Sequence, residues 1–288
     1  MASNSVQGKI AIVTGGGSGI SLAFVDLLHS NGCNVVIGDL QLRPEAEELV
    51  SKASKDAKIL FKKTDVTKWD ELAALFEFTE KELGAPDIVC PGAGIFEPSW
   101  SNFWDDTETN GYKTVDINVN HPVKATRLAI RSFLKANKPG VVVHISSIGG
   151  QTTRLSVPIY CATKAFINHF VRGMAELDER EGIRVVAVAP GLVRSPLWFK
   201  ENPEKLKSVG ENDLWIEPSE IAEVLLAVTQ DPAYKGGTVI EASGQGRTRR
   251  VEVFNDAGPP GIGHAAGANM SLEEDVHAML AKERRAKL

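Results

Sequence analysis

Tyr160 and Lys164 stand four residues apart in a segment whose spacing predicts a helix, 160–180. Residues at i and i+4 share a helix face, so the ammonium stands beside the phenol. A free phenol, with a pKa of about 10, is a poor base at neutral pH. A neighbouring cation favours the phenolate. Lowering the pKa by about 2–3 units corresponds to about 3–4 kcal/mol and makes a tyrosine a workable proton shuttle to an alcohol or carbonyl oxygen. On its own, Tyr-x-x-x-Lys fits a surface pair on an amphipathic helix equally well. It does not stand alone. Ser147 lies 13 residues ahead of Tyr160, at the end of a strand-like run, and Asn118 lies in the helical segment before that.

A second group of residues suits an anion. Gly15, Gly16, Gly17 and Gly19 follow the apolar run ending at Thr14 and precede a helical pattern starting at Ile20. A helix N-terminus offers free N–H groups and a positive dipole end, and glycines let a pyrophosphate come close. Asp39 ends the next strand-like run, about 20 residues beyond the turn. A carboxylate there accepts hydrogen bonds from an adenine-ribose diol and repels a 2′-phosphate. No Arg or Lys lies within 15–21 to receive such a phosphate, so NAD is the expected dinucleotide. Asp65, in Thr64-Asp-Val-Thr67, fits two readings equally, an adenine contact or a turn-forming aspartate.

These residues need elements to hold them. Short apolar runs predict strands at 9–14, 33–38, 58–62, 87–90, 140–145, 183–189 and 238–241. Helical spacing falls between them at 20–30, 44–53, 69–83, 112–136, 160–180 and 218–229. Strands this apolar are buried on both faces, which predicts a parallel sheet of about seven strands covered by helices. The alternation is unbroken, so residues 1–244 read as one α/β domain. Residues 245–288 read as an appendage. It carries Arg247, Arg249 and Arg250, and Ser271-Leu-Glu-Glu274 is a capping-box pattern opening a helix through about Lys287.

Composition narrows the function. Of 288 residues, 43% are hydrophobic and 24% charged, which excludes a wholly disordered chain. The net charge of −5 argues against nucleic acid or an anionic membrane as partner. No apolar run approaches the ~20 residues that span a bilayer, and residues 1–9 carry no apolar signal core. Cys33, Cys90 and Cys161 follow no metal-ligand spacing, so no metal is expected. They read as reduced thiols of a cytoplasmic protein. The chain ends Ala286-Lys287-Leu288. This resembles a Ser-Lys-Leu peroxisomal signal, and equally fits a basic helix end.

In order and spacing, Thr14-Gly-x-x-x-Gly19-Ile20, Asp39, Asp65, Ala93-Gly94, Asn118, Ser147, Tyr160-x-x-x-Lys164 and Pro190-Gly191 resemble the short-chain dehydrogenase/reductase family over residues 6–244. With Tyr160-Cys-Ala-Thr-Lys164, Asp39 is similar to the NAD-linked subgroup that includes hydroxyprostaglandin dehydrogenases. The resemblance implies a Rossmann-type doubly wound α/β fold and hydride exchange between NAD and a secondary alcohol or ketone. By the same resemblance Tyr160 is the acid/base, and Lys164 binds the nicotinamide ribose and lowers the phenol's pKa. Ser147 bonds the substrate oxygen, and Asn118 sits at a helix kink that holds a relay water. Gly15, Gly19, Ile20, Asp65, Val66, Ala93 and Gly94 would line the cofactor, and Val193 and Ser195 would grip its carboxamide. Two positions depart from the pattern: Ser21 replaces the third glycine, and Pro91-Gly-Ala-Gly94 replaces Asn-Asn-Ala-Gly. They motivate a competing reading, a catalytically silent binding protein, and a third is a member recruited for dehydration or isomerisation. Residues 195–216 would cover the substrate. Leu197, Trp198, Phe199 and Trp215 there suit a sizeable apolar ligand such as a lipid, steroid or polyketide, or equally an ordinary core. Family members pair through the two long helices, so a homodimer or homotetramer is expected, with Ile130, Phe133, Phe166 and Phe170 facing a partner or packing inward.

Overall fold

The computed structural model describes residues 5–53, 56–106, 111–252 and 271–285. Its eight strands are β1 (Ile10–Thr14), β2 (Asn34–Asp39), β3 (Ile59–Lys63), β4 (Ile88–Pro91), β5 (Gly140–Ile145), β6 (Ile183–Pro190), β7 (Val239–Ala242) and β8 (Thr248–Arg250). They form one sheet in the order β3-β2-β1-β4-β5-β6-β7-β8. All pairings are parallel except β7 with β8, which is antiparallel. The fold is thus the doubly wound α/β sheet the apolar runs predict. The addition is β8, an exposed Thr-Arg-Arg edge strand with no apolar pattern to announce it.

The helices are α1 (Gly19–Ser30), α2 (Pro44–Ser51), α3 (Trp69–Glu82), α4 (Lys113–Val115), α5 (His121–Lys135), α6 (Pro158–Gly173), α7 (Glu176–Glu181), α8 (Pro196–Phe199), α9 (Pro218–Gln230) and α10 (Ser271–Arg285). Two apolar cores lie on opposite faces of the sheet. One holds Phe24, Leu28, Ile221 and Leu225 of α1 and α9; the other holds Leu72, Phe133, Leu134 and Ile167 of α3, α5 and α6. Parallel strands buried on both faces account for the near-continuous Val and Ile runs.

Strand order reverses between β1 and β4. A crevice opens at the carboxyl ends of strands there, the general ligand position in such sheets. Thr14 pairs with Pro91 across it, so the glycine turn after β1 faces Gly92–Gly94 after β4.

Two helix readings are corrected. The predicted helix 112–136 is α4 and α5 joined by a π-turn, Asp116–Asn120. The predicted helix 160–180 begins earlier, with Pro158 in its first turn, and stops at Gly173 before α7 restarts. Phe133 is fully buried and Ile130 nearly so; Phe166 is exposed and stacks on Phe170 at 6.0 Å. From the segment after Gly244, α10 lies against α5 and α7. Arg127 and Arg131 pair with Glu283, Arg284 pairs with Glu181, and Leu280 is buried. The tripeptide 286–288 lies outside the described residues.

The two departures from the family pattern touch each other. A Cβ built on Gly92 would stand 2.3 Å from Ser21 Oγ and 2.9 Å from the Thr14 carbonyl oxygen. Ser21 is buried in α1, so its hydroxyl fills the space that any side chain at 92 would claim. Gly92→Ala therefore costs about 1–3 kcal/mol by overpacking. Ser21→Gly in the same chain recovers part of that loss, while the Thr14 carbonyl keeps the rest. A double-mutant cycle by chemical denaturation with purely additive effects would refute the coupling.

Candidate active site

A cavity of about 410 Å³ runs along the crevice. The glycine turn, Asp39, Asp65 and Val66 line one end; Ser147, Tyr160 and Lys164 line the other. Ile20, Ala93, Gly94, Val193 and Ser195 complete its walls. Apart from Gly16, every residue expected to hold a dinucleotide thus borders one space.

At the first end, α1 opens at Gly19 with no side-chain cap on its N-terminal N–H groups. Gly15 and Gly19 have φ of 68° and 59°, a region that favours glycine. A Cβ on Gly15 would lie 2.6 Å from the Ala93 Cα, and one on Gly17 would lie 2.8 Å from Asp39 Oδ2. The turn is therefore bare backbone of the kind a pyrophosphate can approach. Asp39 Oδ2 accepts the Gly17 N–H at 2.9 Å, so this carboxylate braces the turn as well as facing the cavity. Asp65 does what a turn-former does: its Oδ1 accepts from Thr67 N and Thr67 Oγ1 at 3.0 and 2.7 Å. It also borders the cavity. The residues present fit a dinucleotide, with diol acceptors at Asp39 and a pyrophosphate cradle at the turn.

At the second end, Ser147 sits where β5 gives way to a short 3-10 turn, and its Oγ accepts the Gly149 N–H at 3.0 Å. Gly150 lets that turn rest on α6, since a Cβ there would lie 2.8 Å from the Lys164 carbonyl oxygen. Ser147 and Tyr160 border the same space, and the Ser147 hydroxyl favours the phenolate form of Tyr160. Lys164 is buried, and its Nζ donates to the Ile145 carbonyl at 2.9 Å and lies 5.6 Å from the Tyr160 ring centre. Burial pushes the Tyr160 phenol up to about 12, only partly offset by the Ser147 hydroxyl. Burial likewise pushes Lys164 down to about 8. In the protein alone the phenol is thus raised by burial, not lowered by the lysine as the resemblance implies.

Asn118 stands behind the cavity, in the π-turn. Its Oδ1 accepts from Ile95 N at 3.0 Å, and its Nδ2 donates to the Ile95 carbonyl at 2.9 Å and to Thr163 Oγ1 at 3.3 Å. It pins the loop after β4 to the helix that carries Tyr160.

Two supporting residues escaped the sequence reading. Glu97 is buried, and its carboxylate accepts the Tyr160 N–H at 2.8 Å and the Phe103 N–H at 3.2 Å. An anion at the first turn of α6 complements the helix dipole. Its backbone φ of 44° is unusual for a non-glycine residue, and no local sequence signal marks it. His121, three residues after Asn118, places Nδ1 3.1 Å from the Ile117 carbonyl and Nε2 3.0 Å from Thr14 Oγ1. A carbonyl only accepts, so Nδ1 carries the proton and Nε2 accepts from the threonine. Burial holds this imidazole down to about 4, hence neutral.

Over the Tyr160 end, Phe96 packs against Tyr160 at 4.6 Å and against Trp198 at 4.8 Å. Leu197 and Trp198 border the cavity, whereas Phe199 and Trp215 pack on each other at 4.8 Å. Of the four apolar residues in this segment, two therefore line the cavity and two pack on each other away from it.

Residues 9–206 match the family model described as short chain dehydrogenase. The chain belongs to that family. An uncharacterized oxidoreductase of Staphylococcus aureus strain MRSA252 is 30% identical over 223 residues, 77% of this chain and 91% of the relative. One from Staphylococcus saprophyticus is 27% identical over 234 residues, 80% and 93% of the two chains. A crystal structure of a short-chain type dehydrogenase/reductase from Mycobacterium marinum superposes with a TM-score of 0.74 at 23% identity, covering 83% of this chain and 96% of that one. This short-chain dehydrogenase is accordingly an oxidoreductase. These relatives are bacterial and lend no support to a peroxisomal address. Among the described residues no helix is long and apolar enough to cross a membrane.

Proposed function

We propose that this protein oxidises a secondary alcohol with NAD, or reduces the corresponding ketone. The observation that carries the reading is one cavity bordered at one end by Asp39 and the bare glycine turn and at the other by Ser147, Tyr160 and Lys164. When bound, the nicotinamide ring supplies the hydride acceptor or donor. The chain's own residues do the rest. Ser147 and Tyr160 hydrogen-bond the substrate oxygen. Tyr160 takes the alcohol proton during oxidation and returns it during reduction. Lys164 supplies a cation that stabilises the phenolate when it forms. Glu97 holds the Tyr160 N–H, and Asn118 holds Thr163 one turn along the same helix.

Phe96, Leu197 and Trp198 give the substrate an apolar, partly aromatic wall, which favours a sizeable apolar alcohol. We assign residues 1–244 to the dehydrogenase domain and 245–288 to an extension. We place the enzyme in the cytoplasm, where its free cysteines stay reduced. We take it to be a homodimer or homotetramer joined partly through exposed Phe166. A panel of secondary alcohols assayed with NAD tests the chemistry. Substrate turnover without net NADH formation would replace it with isomerisation or dehydration, and absence of dinucleotide binding would leave only a silent relative. A monomer mass by light scattering at micromolar concentration would refute the assembly.

A further inference from the structure

Two cations border the cavity among the described residues, Lys164 and Arg43. Lys164 is committed to the Tyr160 end, where it donates to the Ile145 carbonyl. Arg43 stands at the other end, four residues beyond Asp39 and just ahead of α2. A guanidinium there has the charge and forked donors that a ribose 2′-phosphate requires. It is not free to use them. Its Nη2 donates to Glu201 Oε1 at 2.6 Å. Glu201 comes from the far side of the cavity, 158 residues along the chain, in the segment that also carries Leu197 and Trp198. Arg43 keeps 24% side-chain exposure and Glu201 38%, so the pair closes a rim and is not a buried bridge.

We propose that Glu201 is a specificity-determining residue for dinucleotide choice, acting by occupying Arg43; this rests on the NAD reading above. Two carboxylates then exclude a 2′-phosphate in different ways. Asp39 repels it directly. Glu201 withholds the arginine that would otherwise receive it. The same pair ties the substrate-covering segment to the adenosine end, so cofactor choice and substrate cover share one contact. A part-exposed ion pair is weak enough to be displaced, which makes the discrimination adjustable by one residue.

Fluorescence titration with NADH and NADPH tests the proposal on four proteins: wild type, Glu201→Gln, Arg43→Gln and the double variant. The readout is the ratio of the two affinities. Glu201→Gln shifts that ratio toward NADPH by about tenfold, the scale of a charge-assisted hydrogen bond gained by the phosphate. The shift shrinks with added salt and disappears in the double variant. An unchanged ratio in Glu201→Gln, or a shift that persists without Arg43, overturns the role of Glu201 and leaves the NAD reading intact. Wild type that binds neither dinucleotide, or favours NADPH, defeats the NAD reading and this inference with it.

Discussion

Tyr160→Phe removes turnover while NADH still binds. The substitution deletes one hydroxyl at the end of the cavity opposite Asp39 and the glycine turn, so the dinucleotide contacts stay in place. What goes is the proton carrier beside Ser147. General acid–base groups contribute about 10²- to 10⁴-fold, and a loss in kcat of that size is expected. Steady-state kinetics alongside NADH fluorescence separates the two effects, and a variant that keeps a tenth or more of wild-type kcat would remove Tyr160 from the mechanism. The pH dependence of wild type carries a sign. Burial pushes the phenol up to about 12, so the neutral acid predominates near pH 7. Ketone reduction uses that form and stays level through the neutral range, failing only in alkali. Alcohol oxidation uses the phenolate and climbs steadily with pH. An oxidation rate that is flat from mildly acidic to alkaline pH contradicts this assignment.

The second large effect is expected at the adenosine end. Wild type prefers NAD over NADP in kcat/KM by about two orders of magnitude or more. A lost hydrogen bond to a charged group costs roughly 1.5–3 kcal/mol. Charge repulsion at contact adds ~1 kcal/mol in water and more where solvent is partly excluded. Since ~1.4 kcal/mol is tenfold, the sum supports that ratio. Asp39→Ala narrows the gap, and it also weakens both dinucleotides, because Asp39 Oδ2 braces the Gly17 N–H. Equal kcat/KM for the two cofactors in wild type would sink the role of Asp39.

Most of the sheet was legible because its strands are apolar on both faces, and that pattern is local. β8 was not, since Thr248, Arg249 and Arg250 are exposed and, at the sheet edge, pair only with β7. The glycine turn, Asp39, Ser147, Tyr160 and Lys164 were legible because their order and spacing along the chain follow the family pattern, and all of them border one cavity. The π-turn at Asn118 leaves no mark on the helical periodicity, and only the family resemblance implied a kink there. Glu97 and His121 were hidden for another reason. Glu97 receives Tyr160 N–H from 63 residues away, and His121 meets Thr14 from 107 residues away. No window along the chain holds both partners. The same blindness made Ser21 and Gly92 look like two separate losses, when the fold sets one into the space left by the other.

The last helix bears on the order of events during synthesis. Arg127 on α5 waits for Glu283 on α10, 156 residues later, and Glu181 on α7 waits for Arg284, 103 residues later. Sheet, cavity and catalytic helix can all assemble on the ribosome before those partners exist. Until α10 has been made, the α5 face that buries Leu280 stays open to any other helix that fits it. Docking of α10 is therefore a late, mostly electrostatic closure laid over a finished core, and the element whose amides should exchange with solvent soonest when salt is raised.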